Sequence, residues 1–158
     1  MKILVPALVV ALLTLTGCDE STGRGSDDTP TEGITEVSTP ESRLLDARQA
    51  WRNSGIASYQ WRYERFCYCP EVKMAIEVVD GRAVGVQNAA RGGDPSDPTV
   101  KTMEDLFDAV EAALRDADEV HVTYDPQTGA VRRLSVDHVE NAIDDEYSYL
   151  VKRVDPLP

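Results

Sequence analysis

From Tyr59 to Val86 large apolar and polar residues alternate with a period of two, and this alternation constrains the fold more than any other feature of the chain. Tyr59, Trp61 and Tyr63 share one parity; Gln60, Arg62 and Glu64 take the other. A strand projects successive side chains to opposite faces, so the pattern predicts a strand with one buried face. At Arg65-Phe66 the alternation slips, and Phe66 and Tyr68 continue on the polar parity, which predicts a bulge or a strand end there. Val72, Met74, Ile76 and Val78 repeat the apolar parity, and Val84 and Val86 run back after Asp80-Gly81. Asp-Gly supplies the positive φ angles of a two-residue hairpin turn. The chain must therefore cover one face of an antiparallel sheet.

Two helices are available to cover it. Ser38-Thr39-Pro40-Glu41 offers a hydroxyl cap with proline in the first turn, Leu44, Leu45 and Trp51 form an apolar stripe, and Asn53-Ser54-Gly55 stops the helix. After a polar loop from Asn88 to Lys101, Thr102 caps a second helix whose Met103, Leu106, Phe107, Val110, Ala113 and Leu114 share one face. That stripe is core, and no cofactor is assigned to it. Val120, Val122 and Tyr124 then make a strand, Asp125-Pro126-Gln127-Thr128-Gly129 turns it, and Val131 to Val136 returns. Tyr147 to Val154 reads as a last strand at an edge. The expected architecture is α+β, with two layers: a mainly antiparallel sheet of about six strands and two helices on one face. The repeated order of one helix and three strands hints at duplication.

The amino-terminal part is of a different kind. Lys2 precedes an apolar run from Ile3 to Leu15, which is too short for a membrane span of about 20 residues. Leu15-Thr16-Gly17-Cys18 closes it and resembles a bacterial lipobox. The resemblance implies that residues 1–17 are a removable signal peptide and that Cys18 is the lipidated first residue of the mature chain. The bland alternative is an ordinary secretory signal cut near Gly17, or a buried helix. Each buried methylene contributes about 0.8 kcal/mol, so two or three acyl chains such as palmitate would make attachment nearly permanent. Lipid on Cys18 is the one non-protein group implied; no cofactor and no metal is assigned.

Residues 18–40 are rich in Asp, Glu, Ser, Thr, Gly and Pro, and are read as the lipidated cysteine followed by a disordered acidic tether. As a flexible coil it would reach about 25 Å. Residues 41–158 then form a single domain. The expected location is the cell envelope, with the domain facing the periplasm or the exterior; Asp19 favours the inner membrane if sorting of the enterobacterial type applies. The formal net charge of −12 becomes −13 without Lys2. Nucleic acid is excluded as a partner, because its binding rests on Lys and Arg at phosphates. The same charge keeps the domain off an anionic leaflet, so the acyl chains hold the bilayer.

Trp51, Tyr59, Cys67-Tyr68-Cys69, Asp80-Gly81, Leu106-Phe107, Tyr124-Asp125-Pro126 with Gly129, and Asp144-Asp145-Glu146 together resemble an uncharacterised family of small bacterial secreted proteins and lipoproteins. The resemblance spans roughly residues 41–158. It implies a domain boundary and a compartment, and it carries no activity.

Cys67 and Cys69 are the two thiols left once Cys18 is acylated, in an oxidising compartment. On a regular strand their Cα atoms would stand about 6.5 Å apart, near the limit for a disulfide, so a bond requires the strand to bend. Three readings stay open: a structural disulfide, thiols that remain reduced or bond another chain, and a redox or metal pair. Zinc would need His121 and His138 as further ligands. Asp137, Glu140, Asn141, Asp144, Asp145 and Glu146 offer oxygens to calcium but lack the spacing and glycine of a calcium hand; Asp145 and Glu146 are placed to cap the strand or bond a neighbouring turn. There is no glycine-rich phosphate loop, Gly-x-Ser-x-Gly or zincin helix, and a hydrolytic base would have to be His121 or His138. Separated acids such as Glu64 and Asp137 are the remaining route to an enzyme. The expectation is a membrane-anchored, non-enzymatic module that binds an envelope protein or component with its sheet, Gln60, Arg62, Glu64, Phe66 and Tyr68 facing out. The alternative is a thiol redox or metal-binding envelope protein centred on Cys67 and Cys69.

Overall fold

Capping chemistry opens both helices of the computed structural model, which describes residues 38–70, 72–88, 93–139, 141–142 and 144–158. Thr39 caps α1 (Pro40–Asn53) by accepting from the Ser42 amide at 3.2 Å, and Pro40 opens the helix. Thr102 caps α2 (Met103–Asp116) in a reciprocal box with Asp105. Three strands follow each helix: β1 (Tyr59–Cys67), β2 (Val72–Val79) and β3 (Arg82–Asn88), then β4 (Glu119–Tyr124), β5 (Val131–Asp137) and β6 (Tyr147–Pro156). They form one six-stranded antiparallel sheet in the order β3-β2-β1-β6-β5-β4, an α+β fold. The signal sequence 1–17, Cys18 and the tether as far as residue 37 lie outside the described residues, as does Glu140.

The core lies between one sheet face and the helices. Tyr59, Trp61, Tyr63, Met74, Ile76, Val78, Leu134 and Val136 are buried there, together with Met103, Leu106, Phe107, Val110 and Ala113 of α2. On α1 the buried stripe is Leu44, Ala47 and Trp51, at spacings of three and four; Leu45 is 67% exposed, because one step along a helix rotates a side chain by about 100°. The expected Leu44-Leu45 stripe is corrected accordingly.

Two tyrosine hydroxyls pin the second helix to the sheet. The Tyr59 hydroxyl accepts from the Met103 amide at 2.8 Å and donates to Glu104 Oε2 at 3.4 Å. Tyr63 donates to the Thr99 carbonyl at 2.8 Å and accepts from the Lys101 amide at 3.3 Å. The Met103 amide belongs to the first turn of α2, where amides have no partner within the helix, so a buried strand residue satisfies it. Burial holds both phenols well above the ordinary tyrosine value of 10.0.

The hairpin at Asp80-Gly81 forms as expected, with φ of 49° and 74°. Its return strand differs: a register shift opposite Glu77/Val78 turns Ala83 toward the core, and Val84 is 52% exposed. Of the two expectations at Arg65-Phe66 the strand end is met, since β1 ends at Cys67, and the bulge is corrected. Arg65 keeps the buried parity opposite Tyr149, while Phe66 faces out opposite Ser148; the irregularity lies at Arg62/Tyr63, against β6. β6 itself is central, not an edge. Pairing with both β1 and β5 joins the two three-stranded runs through it. Each three-stranded run keeps the same internal order in the sheet, β3-β2-β1 and then β6-β5-β4.

The turn between β4 and β5 seats α1. Asp125 Oδ1 accepts from the Gln127 amide at 3.0 Å and from the Thr128 amide at 2.9 Å. These bonds, with the Thr128 amide first among the causes, hold its carboxyl below the usual range. Gly129 has φ of 76°, and a Cβ there would overlap the Ala47 carbonyl and come within 2.8 Å of Ala50 Cβ and 2.9 Å of the Trp51 amide. Gly81 has φ of 74° and nothing within 4 Å of such a Cβ. Gly81→Ala should therefore cost about 1–2 kcal/mol from conformation alone. Gly129→Ala adds overpacking and should cost about 2–5 kcal/mol, a difference that urea unfolding of the two variants measures.

Tyr59 and Tyr63 ionise more easily when the chain unfolds. Because their folded values lie above 10.0, the stability they supply is complete below that pH and is lost as pH rises beyond it. The denaturation midpoint should fall on raising pH past 10.0, and the double variant Tyr59→Phe, Tyr63→Phe should show a shallower fall from a lower starting stability.

Candidate functional site

The sheet face away from the helices is uncovered, and its cross-strand rows can be read from register. Gln60 lies between Glu77 and Asp155; Arg62 lies between Ala75 and Arg153. Like charges directly opposite one another on a sheet are unfavourable. Arg153 forms an ion pair with Asp155, and Lys152 meets Glu64 at 3.0 Å. Arg62 has no hydrogen bond or ion pair among the described residues and points to solvent. Small residues surround it: Ala75 and Gly85, with Glu77 and Gln87, line the shallow depression beside Gln60 and Arg62.

At the other end of the same face, Phe66, Ser148 and Ser135 stand opposite one another across β1, β6 and β5. The serines are short, and a cleft of about 550 Å³ opens there, lined by Phe66, Cys67, Tyr68, Ser135, Ala142, Asp144, Glu146, Tyr147 and Ser148. Phe66 is 40% and Tyr68 83% exposed. Exposed aromatics beside a cleft of this size are the ordinary furniture of a binding site. Asp144 and Glu146 have no hydrogen bond or ion pair among the described residues. Asp145 has a different task, its Oδ2 accepting from the Val139 amide at 2.8 Å, so it ties down the turn before β6.

The sulfurs of Cys67 and Cys69 are in bonding contact around Tyr68, with Cα atoms 5.0 Å apart. This is closer than a regular strand permits, and the bend that allows it lies after Cys67, where β1 ends. The contact holds Tyr68 at the mouth of the cleft. His121 is on the uncovered face of β4, 2.9 Å from Glu119, and His138 packs on Tyr147 with ring centroids 5.7 Å apart. Among the described residues no group of three or more His, Cys, Asp and Glu is placed to hold a metal ion. The zinc set of Cys67, Cys69, His121 and His138 is therefore not assembled, and among the described residues Asp137, Asp144, Asp145 and Glu146 do not converge as a ligand group. Glu64 is engaged with Lys152, and Asp137 lies at the far end of β5 with one carboxylate oxygen buried and unpartnered among the described residues.

Arg153, Lys152, Ser135 and Ser148 escaped the sequence reading. With β6 placed at an edge, nothing put Arg153 opposite Arg62 or Ser148 opposite Phe66. The alternation of Tyr147, Tyr149 and Val151 gives the buried face of β6 but not its lateral neighbours, so no local signal placed it at the centre.

Two helices over one face of a six-stranded antiparallel sheet, with the other face polar and cleft at one end, define a small two-layer α+β domain. The chain matches a family of unknown function, DUF6174, over residues 43–156, and it belongs to that family. No curated protein and no solved structure matches it.

If Cys67 and Cys69 are bonded, the unreduced chain will resist alkylation at both positions and take up two labels after reduction. The variant Cys67→Ser, Cys69→Ser should keep the far-ultraviolet spectrum, because both residues lie at the end of β1 outside the buried core, and should raise proteolysis after Tyr68.

Proposed function

We propose that the chain is a lipid-anchored, extracytoplasmic binding module without enzymatic activity, and that the uncovered sheet face is its contact surface. The observation that carries this reading is one-sidedness. Both helices lie over the aromatic parity of β1, and the opposite parity, Gln60, Arg62, Glu64, Phe66 and Tyr68, stays exposed or half-exposed. Arg62 and Arg153 face each other at the centre of that surface, where a carboxylate or other anion from a partner would relieve their repulsion. Large exposed aromatics at the end of the row give a partner apolar area to bury.

Anchorage is supported by Leu15-Thr16-Gly17-Cys18 and the apolar run before it. Among the described residues no helix is long and apolar enough to cross a membrane. In this reading acyl chains on Cys18 supply the attachment. Residues 19–37, acidic and poor in large apolar side chains, would hold the domain off the bilayer. Together these features support a module at the envelope, with the membrane as a lipid partner and a protein or envelope component as the second.

Two measurements test the reading. Labelled palmitate should enter the wild-type chain in a bacterial host and not the Cys18→Ala variant; absence of label in the wild type removes the anchor. A photo-crosslinking residue at Arg62 should capture a partner in intact cells, whereas one at Asp46 on the outer side of α1 should not. Equal capture from both positions, or none, removes the sheet face as the contact surface.

A further inference from the structure

The structure brings together two stretches far apart in sequence, Phe66-Cys67-Tyr68 at the end of β1 and the acids Asp144 and Glu146 before β6, in one cleft lining. From this we propose that the cleft is a binding site for an alkylammonium group, the charged end of a lysine side chain or of a polyamine. The assignment rests on the reading of the uncovered face as a contact surface, and it names the chemistry that one end of that face selects.

Three features carry it. Phe66 and Tyr68 expose their rings at the rim, and the face of an aromatic ring attracts a cation. Asp144 and Glu146 add two carboxylates with no partner among the described residues, and no lysine, arginine or histidine is among the described residues lining the space. Ser135 and Ser148, opposed across β5 and β6, leave depth and offer hydroxyl acceptors to the N–H groups of an ammonium. The combination of ring faces, carboxylates and hydroxyl oxygens is complementary to a cation that donates hydrogen bonds. A net charge of −12 adds a long-range attraction for such a ligand. The nearest cation along β1, Arg65, keeps the covered parity and lies over the Tyr149 ring at 6.0 Å, so its charge is directed away from the uncovered face.

The cleft also has a fixed rim. The sulfur contact of Cys67 and Cys69 constrains Tyr68, and the Asp145 bond to the Val139 amide constrains the segment carrying Asp144 and Glu146. A site held from both sides loses less freedom on binding than a mobile one.

The test is calorimetric titration of the full chain in detergent with spermidine, with a short lysine-containing peptide and with the neutral disaccharide cellobiose. Spermidine or the peptide should bind saturably, the tighter of the two marking a free polyamine or a lysine side chain as the source, and cellobiose should not bind. Asp144→Asn with Glu146→Gln should weaken amine binding about tenfold or more, and Phe66→Ala should weaken it measurably. Asp46→Asn, which removes one charge on the outer side of α1, should leave it unchanged. Loss of affinity shared equally by Asp46→Asn would show diffuse attraction and overturn the site. So would saturable binding of cellobiose that survives the Asp144 and Glu146 substitutions, or no saturable binding of either amine. Partner capture at Arg62 without amine binding discards the cleft alone, and failure of both discards the contact surface as well.

Discussion

The Tyr59 hydroxyl is the point on which the two layers depend. It lies in the most buried row of β1, receives the first free amide of α2 from Met103 and reaches Glu104, whose other oxygen accepts from the Trp51 indole of α1 at 2.9 Å. One phenol and one carboxylate thus connect both helices to the strand between them. Trp51 meets Tyr59 edge to face at 5.4 Å, so the same contact is also an aromatic one. An amide buried at a helix start without a partner costs about 1–3 kcal/mol, which explains why a tyrosine serves here where phenylalanine would fill the space equally well.

Because that connection is made on one side only, the sheet has two unlike faces. Tyr59, Trp61 and Tyr63 face the helices and Tyr63 continues the aromatic row to Tyr149 at 5.7 Å. The other parity is left to water, with Arg62 opposite Arg153 at the middle and the aromatic and acidic cleft at one end. The same alternation that builds the core therefore builds the contact surface, and a residue's role follows from its parity.

The two motifs that stand out in the sequence do different work. Tyr124-Asp125-Pro126 with Gly129 is structural: Asp125 organises the turn and Gly129 admits the backbone of α1 so closely that no Cβ fits. Tyr124 stacks on Phe107 at 6.4 Å, and burial pushes its phenol up to about 12. Cys67-Tyr68-Cys69 lies outside the core, and its Cys67 and Tyr68 line the cleft.

Period-two alternation, caps and turn residues act over a few neighbours, so they fixed the helices, the hairpin at Asp80-Gly81 and the layer that each parity joins. Leu45 shows where that reasoning stops, since the burial of one of two adjacent leucines depends on which face α2 and the Gly129 turn meet. Strand order was beyond local reading altogether. β6 pairs with a strand some ninety residues earlier in the chain, and only that pairing sets Arg153 against Arg62 and Ser148 against Phe66. The cleft has the same origin: loop closure and non-local hydrogen bonding bring Asp144 and Glu146 to Phe66 and Tyr68, and no pattern within either stretch encodes the meeting.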